Sequence, residues 1–200
     1  MTRVIRDHRA LAAFFLAYYC ILIAYGIAAG GGQTAFYAAF VGGGAVLIAR
    51  LYARNELSAL VLWGLALWGA AHMVGGLIEV GGEVVYERRL VGGEFRFDKI
   101  VHFFGFGFAT LAAYELLAQN VGRDAAPKHL ALTALFVGLG VGAVNETVEF
   151  LITLLPGESN VGGFSNTGWD LVANALGALV AASLAGPIQR KRASGVQSSL

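Results

Sequence analysis

Six long apolar stretches, separated by short polar connectors, dominate the pattern along the 200-residue chain. They cover residues 11–30, 35–50, 57–79, 99–119, 130–155 and 168–187. The apolar residues form continuous runs rather than one stripe per helix, and about 20 such residues cross a bilayer as a helix. The pattern therefore predicts an all-α, polytopic membrane protein. We expect about six transmembrane helices in three hairpins, which form one integral membrane domain over residues 1–200.

Composition supports this class of protein, because 57% of the residues are hydrophobic and only 14% are charged. A soluble domain has roughly 25% charged residues. The net charge is +1 and no basic stripe with interleaved aromatic residues is present, so nucleic-acid binding is not expected. Cys20 is the single cysteine, which excludes an internal disulfide. Membrane lipid is the expected partner.

Lysine and arginine are distributed unequally between the connectors, and this bias predicts the orientation. An N-terminus in the cytoplasm gives ten cations inside and four outside. The inner set is Arg3, Arg6, Arg9, Arg50, Arg54, Arg123, Lys128, Arg190, Lys191 and Arg192. The outer set is Arg88, Arg89, Arg96 and Lys99. Both termini are therefore predicted to be cytoplasmic.

Polar side chains at helical spacing interrupt the apolar segments, mostly near their predicted outer ends. They are Asp98 with His102, Glu146 with Glu149, Asp170 with Asn174, and His72. A charged side chain at the centre of a bilayer costs about 2.5–3.5 kcal/mol on the most lenient scale. Several such groups would not persist facing lipid. We therefore predict one cluster between the helices that opens to the outside.

These residue types allow two kinds of chemistry. Carboxylates and an imidazole bind divalent metals, so Asp98, His102 and Glu149 are candidate metal ligands. Glu146, Glu149 and His102 are candidate catalytic groups, because closely spaced acids and histidines exchange protons. The other polar residues in the spans, Asp170, Asn174 and His72, are candidate substrate-binding residues. A helix cap at Asp98 or Asp170 and a packing role for His72 are the structural alternatives.

Known hydrolase patterns do not match. The chain has no H-E-x-x-H pair, no E-x-x-H pair of the di-iron bundles and no G-x-S-x-G elbow. Whether the protein is an enzyme stays open.

The order of the motifs resembles a known family. AHMVGG, FDKIVHFFGFGFATLAAYELL, NETVEF and SNTGWDLVANALGA follow one another over about residues 70–185. This series resembles the bacterial inner-membrane family of unknown function typified by YjdF, and the broader VanZ-like group. The resemblance implies a small helical protein of a bacterial or archaeal cytoplasmic membrane. It also implies an acid at the position of Asn166 and a Trp at Phe150, where this chain differs.

Three functions fit these observations. The first is an outward-opening site that binds a divalent metal or an envelope-lipid headgroup. The second is a proton-coupled small-molecule carrier, although ionisable residues lie toward the outer half apart from Glu115. The third is a structural or scaffold protein whose polar groups hold the helices together.

Overall fold

The computed structural model describes residues 2–90, 95–121, 125–154 and 163–197, and the side chains within 3–188 of these ranges. Its helices are α1 Thr2–Asp7, α2 Arg9–Ala28, α3 Thr34–Arg54, α4 Ala59–Leu77, α5 Phe97–Asn120, α6 Pro127–Thr153 and α7 Phe164–Gln197. Six of them, α2 to α6 and Phe164–Ile188 of α7, are long and apolar enough to cross a membrane. The predicted all-helical class with six spans is confirmed.

Most helix ends differ from the predicted spans by a few residues. The largest difference is at the last span, predicted at 168–187, because α7 runs from Phe164 to Gln197. The stretch predicted at 35–50 is also longer, because α3 continues to Arg54. Arg50 ends the apolar run in the sequence. An exposed arginine in the last turns of a helix interacts favourably with the helix dipole, so the helix does not have to end there. Pro156, the predicted stop of the fifth span, lies outside the described residues.

Consecutive long helices pack as pairs. α2 contacts α3, α4 contacts α5, and α6 contacts α7. The first two pairs join through α4, which contacts α2 and α3, and the last two join through α5, which packs against α6 and most extensively against α7. α1 lies across α2 and α3. Three helices, α5 to α7, therefore surround one common space.

Small residues bring α5 and α7 together. A Cβ atom added at Gly177 would collide with the carbonyl oxygen of Phe103, and one added at Gly107 would lie 3.3 Å from the carbonyl oxygen of Gly177. The two backbones thus touch directly. Packing of this kind is common between membrane helices, since small residues permit close approach.

A structured connector joins α4 to α5. Strands β1 (Glu79–Val80) and β2 (Glu83–Val84) form an antiparallel hairpin. Its turn is Gly81–Gly82, with φ of +70° and +87°, a conformation that glycine adopts without steric cost. A 3-10 turn, Val85–Glu87, follows. We call this end of the bundle, where α4 and α6 end and α5 and α7 begin, the site end.

Candidate metal centre

Buried and half-buried polar side chains from three helices meet at the site end. They are Asp98, Lys99 and His102 from α5, Asn145, Glu146 and Glu149 from α6, and Asn166, Asp170 and Asn174 from α7. His102 lies five residues into α5, or roughly 7–8 Å from its start at 1.5 Å per residue. The cluster is thus within the bundle but near its end.

Asn174 holds His102 in one orientation. The Nδ1 atom of His102 lies 3.0 Å from Asn174 Oδ1 and 3.2 Å from Glu146 Oε1. Asn174 Nδ2 in turn donates to Glu146 Oε1 over 2.9 Å. Both atoms near Nδ1 are acceptors, so Nδ1 carries the hydrogen. A histidine fixed in this way presents its Nε2 atom on the opposite side of the ring.

The Nε2 atom of His102 faces two carboxylates. It lies 3.9 Å from Glu149 Oε1 and 3.7 Å from Asp170 Oδ1. These separations are too long for hydrogen bonds. They match the spacing of two ligands on one metal ion, because ligands at about 2.0–2.2 Å from zinc lie roughly 3–4 Å apart. Asn145 Nδ2 fixes the Glu149 carboxylate by donating to Oε1 over 2.7 Å.

A group of three residues has the geometry of a metal site. His102, Glu146 and Glu149 each offer one ligand atom, and these atoms all lie within 4.8 Å of one another. Glu146 is 4% exposed, and its Oε2 atom has no hydrogen-bond partner among the described residues. A buried carboxylate oxygen without a partner is costly unless a cation or a donor meets it. We call these three residues the triad.

Lys99 organises the remaining acids. Its Nζ atom donates to Asp98 Oδ2 (2.9 Å), Asp170 Oδ1 (2.7 Å) and Asn166 Oδ1 (2.8 Å). Asn166 Nδ2 donates to the other oxygen of Asp170 over 2.7 Å. Asp98 is therefore engaged with Lys99. Its predicted role as a metal ligand stays a prediction.

The formal charges of the cluster do not balance. The described cluster contains four carboxylates (Asp98, Glu146, Glu149 and Asp170) and one ammonium group, that of Lys99, which pairs with Asp98 and Asp170. Uncompensated charge in a low-dielectric interior costs several kcal/mol per ion. The N-termini of α5 and α7 contribute positive partial charge, but less than one full charge each. A divalent cation or bound protons would offset the excess.

His72, a predicted substrate-binding residue, lies on α4 and forms a different group. Its Nδ1 atom shares a short hydrogen bond with the Tyr86 hydroxyl. The Nε2 atom of His72 is buried and has no hydrogen-bond partner among the described side chains. Burial raises the pKa of Tyr86 well above its usual range, and Tyr37 and the Glu149 carboxylate raise it further. The His72–Tyr86 pair therefore lies beside the cluster, within electrostatic range.

Sequence reasoning did not assign four residues of this region to the site: Lys99, Asn145, Asn166 and Tyr86. Lys99 was counted among the outer loop cations, although its position directly after Asp98 inside an apolar helix indicated a partner for that acid. Tyr86 lies in a polar, Gly-rich connector and gave no signal. The structure brings together His102, Glu146, Glu149, Asp170 and Asn174, as the spacing predicted.

Comparison with known proteins identifies the family and nothing finer. The profile of DUF2238, described as a predicted membrane protein, matches residues 10–191. No curated protein and no solved structure shows significant similarity to the chain. The chain belongs to the DUF2238 family of membrane proteins.

Proposed function

We propose that this DUF2238 protein binds a divalent cation through His102, Glu146 and Glu149. The observation that carries the proposal is the triad itself, with ligand atoms within 4.8 Å and a buried, unpartnered oxygen on Glu146. One imidazole and two carboxylates suit zinc, manganese or iron better than calcium or magnesium, which prefer oxygen ligands alone.

The surroundings of the triad support a metal rather than a simple ion pair. Metal-binding histidines donate their second N–H to a carboxylate or amide oxygen. His102 Nδ1 does so toward the amide oxygen of Asn174 over 3.0 Å. Asp170 Oδ1, at 3.7 Å from His102 Nε2, is a candidate further ligand if it releases Lys99.

The location of the site follows from the charge bias. We propose a bacterial or archaeal cytoplasmic membrane, with both termini in the cytoplasm and the site end facing outward. The resemblance to YjdF-like and VanZ-like proteins supports an envelope location. An envelope-lipid headgroup is the second candidate ligand. If the protein is an enzyme, Glu149 or Glu146 would act as general base, and Asp170, Asn174 and His72 would contact the substrate.

A structural role is favoured by one specific observation. Lys99 joins α5 to α7, and Asn174 joins α7 to both His102 and Glu146. Such bonds would hold three helices together without any ligand. The proton-coupled carrier has less support, because Glu115 at the opposite end accepts a hydrogen bond from the backbone N–H of Ser58 and so stabilises the start of α4.

Metal content of the purified protein tests the proposal. We expect about one divalent ion per chain in the wild type by elemental mass spectrometry, and loss of that ion in His102→Ala and in Glu149→Gln. His129→Ala is the matched control, because His129 is an exposed histidine at the start of α6, at the other end of the bundle.

The metal proposal and the structural alternative give different results. A metal-free wild type whose melting temperature does not rise with added zinc or manganese would reject cation binding. A ligand at 100 times its Kd should raise stability by about 2.7 kcal/mol, which melting curves detect easily. If the role is purely structural, His102→Ala lowers the melting temperature with no metal present in either protein.

A further inference from the structure

A pocket of about 520 Å³ lies in the connector at the site end. Three arginines line it together with two glutamates: Arg88, Arg89, Arg96, Glu83 and Glu87. The pocket is open to its surroundings. Its formal charge is +1, from three guanidinium groups and two carboxylates. Arg96 immediately precedes α5, and His102 of the triad follows six residues later, roughly 9 Å along a helix.

Backbone hydrogen bonds fix the three arginines next to one another. Arg89 and Arg96 are paired in an antiparallel bridge. The backbone N–H of Phe97 donates to the carbonyl oxygen of Arg88 over 3.0 Å. Like charges directly opposite each other on paired strands repel and destabilise the pair. A bound anion between them would remove that repulsion.

Within the described part of the chain, the guanidinium groups of this pocket have no carboxylate partner. Among the described residues, no carboxylate oxygen lies within 4.0 Å of a guanidinium nitrogen of Arg88, Arg89 or Arg96. Arg88 donates to the carbonyl oxygen of Val80 over 3.2 Å, which orients the side chain. The Nε atom of Arg96 is buried and has no partner among the described atoms.

We infer that this arginine pocket binds a phosphate group presented at the membrane surface. Guanidinium groups bind phosphate oxygens in a bidentate manner, and several of them together suit a dianionic monoester. Glu83 and Glu87 in the same lining reduce the attraction for anions in general, so recognition depends on the fork geometry of the arginines. The inference deepens the proposed function. Phosphate binding by the arginines stands on the pocket alone, and only the link to the cation of the triad rests on the proposed function. It names the substrate class as a phosphate-bearing molecule.

Binding of two soluble probes to the full-length protein in detergent tests the inference. The probes are inorganic phosphate and dihexanoyl phosphatidic acid, titrated by calorimetry. We expect the wild type to bind, and Arg89→Gln/Arg96→Gln to bind at least about tenfold more weakly, since loss of charge-assisted hydrogen bonds of this kind has that effect. Arg50→Gln/Arg54→Gln is the matched control, because both arginines are exposed on α3 at the opposite end.

The source of the phosphate follows from the two probes. Binding of the lipid alone identifies a headgroup, and equal binding of both identifies the free anion as sufficient. Arg89→Gln alone guards against misfolding of the double variant, because Arg89 is exposed and its side chain has no described partner. Neither probe binding to the wild type overturns the inference. Equal loss of binding in the α3 control, or no loss in the Arg89 and Arg96 variants, also overturns it.

Metal content of the same samples separates the two proposals. If a metal-free wild type binds phosphate through the arginines, the pocket proposal stands and the cation proposal is rejected. If the wild type holds metal but binds neither probe, the cation proposal stands and the pocket proposal is rejected.

Discussion

The two halves of the bundle are built in different ways. In the N-terminal half, aromatic rings fill the space between helices, as in the Phe14–Trp63 pair between α2 and α4 at 5.5 Å and the Phe40–Trp68 pair between α3 and α4 at 6.1 Å. In the α5–α7 half, backbones touch at Gly177, and buried polar groups bond across the interface. Ring packing tolerates small displacements. Backbone contact and charged bonds do not, so the half that carries the cluster is also the half most sensitive to single substitutions.

The largest effect is expected from Lys99→Met. The substitution leaves Asp98 and Asp170 buried without their cation, and breaking a buried ion pair from one side costs about 3–5 kcal/mol. Arg3→Met is the matched change in the N-terminal half, where Arg3 pairs with Glu56 and Asp7 at a partly exposed position. An exposed pair contributes only about 0–1 kcal/mol. Thermal unfolding in one detergent compares the two, and equal shifts would refute the distinction.

Gly177→Ala should have the second-largest effect. The new methyl group would meet the Phe103 carbonyl oxygen, and a backbone atom cannot turn aside as a side chain can. Overpacking of this kind costs about 1–3 kcal/mol. Gly140→Ala on α6 is the control, because nothing lies within 4 Å of the added Cβ. If both variants melt together with the wild type, α5 and α7 are not in backbone contact.

The smallest effect is expected from Asp7→Asn in α1. The pKa of Asp7 lies below its usual value because Arg6 donates a hydrogen bond to the carboxylate, with further attraction from Arg6 and Arg3. A lowered pKa in the folded state means that the ionised form stabilises folding. This contribution is complete above about pH 4 and is lost as the pH falls. Asp7→Asn should melt slightly below the wild type at pH 7, and this difference should be smaller at pH 3. The same difference at both values would contradict the explanation.

The sequence predicts the helices well because membrane spans have a strong local signal, a run of about 20 apolar residues. The helical spacing also places Glu146 with Glu149 and Asp170 with Asn174 on shared faces, and the structure brings these groups to His102. Residue type and helical spacing are properties of one segment, so both could be predicted from the sequence.

Long-range pairing could not be predicted in the same way. The charge bias that predicts orientation counts every cation near a helix end as a loop residue, and Lys99 instead enters the bundle to meet Asp170, 71 residues away. Tyr86 reaches His72 because α4 carries Gly75 at the point of contact, where a Cβ atom would meet the tyrosine ring. Neither contact follows from the periodicity of a single segment.

The pairing of Lys99 with its neighbour Asp98 has a consequence for biogenesis. During insertion, α5 carries its own counter-ion, so the two charges enter the bilayer as a neutral pair. α7 has no such partner for Asp170, since the first cation along that helix is Arg190 near its other end. An unpaired aspartate costs about 2.5–3.5 kcal/mol at the centre of a bilayer and less near a helix end, so Asp170 would oppose insertion of α7 alone by at most that amount. Because α5 is synthesised first, Lys99 is already in place when Asp170 arrives. The order of the helices in the chain thus matches the order in which their charges can be neutralised.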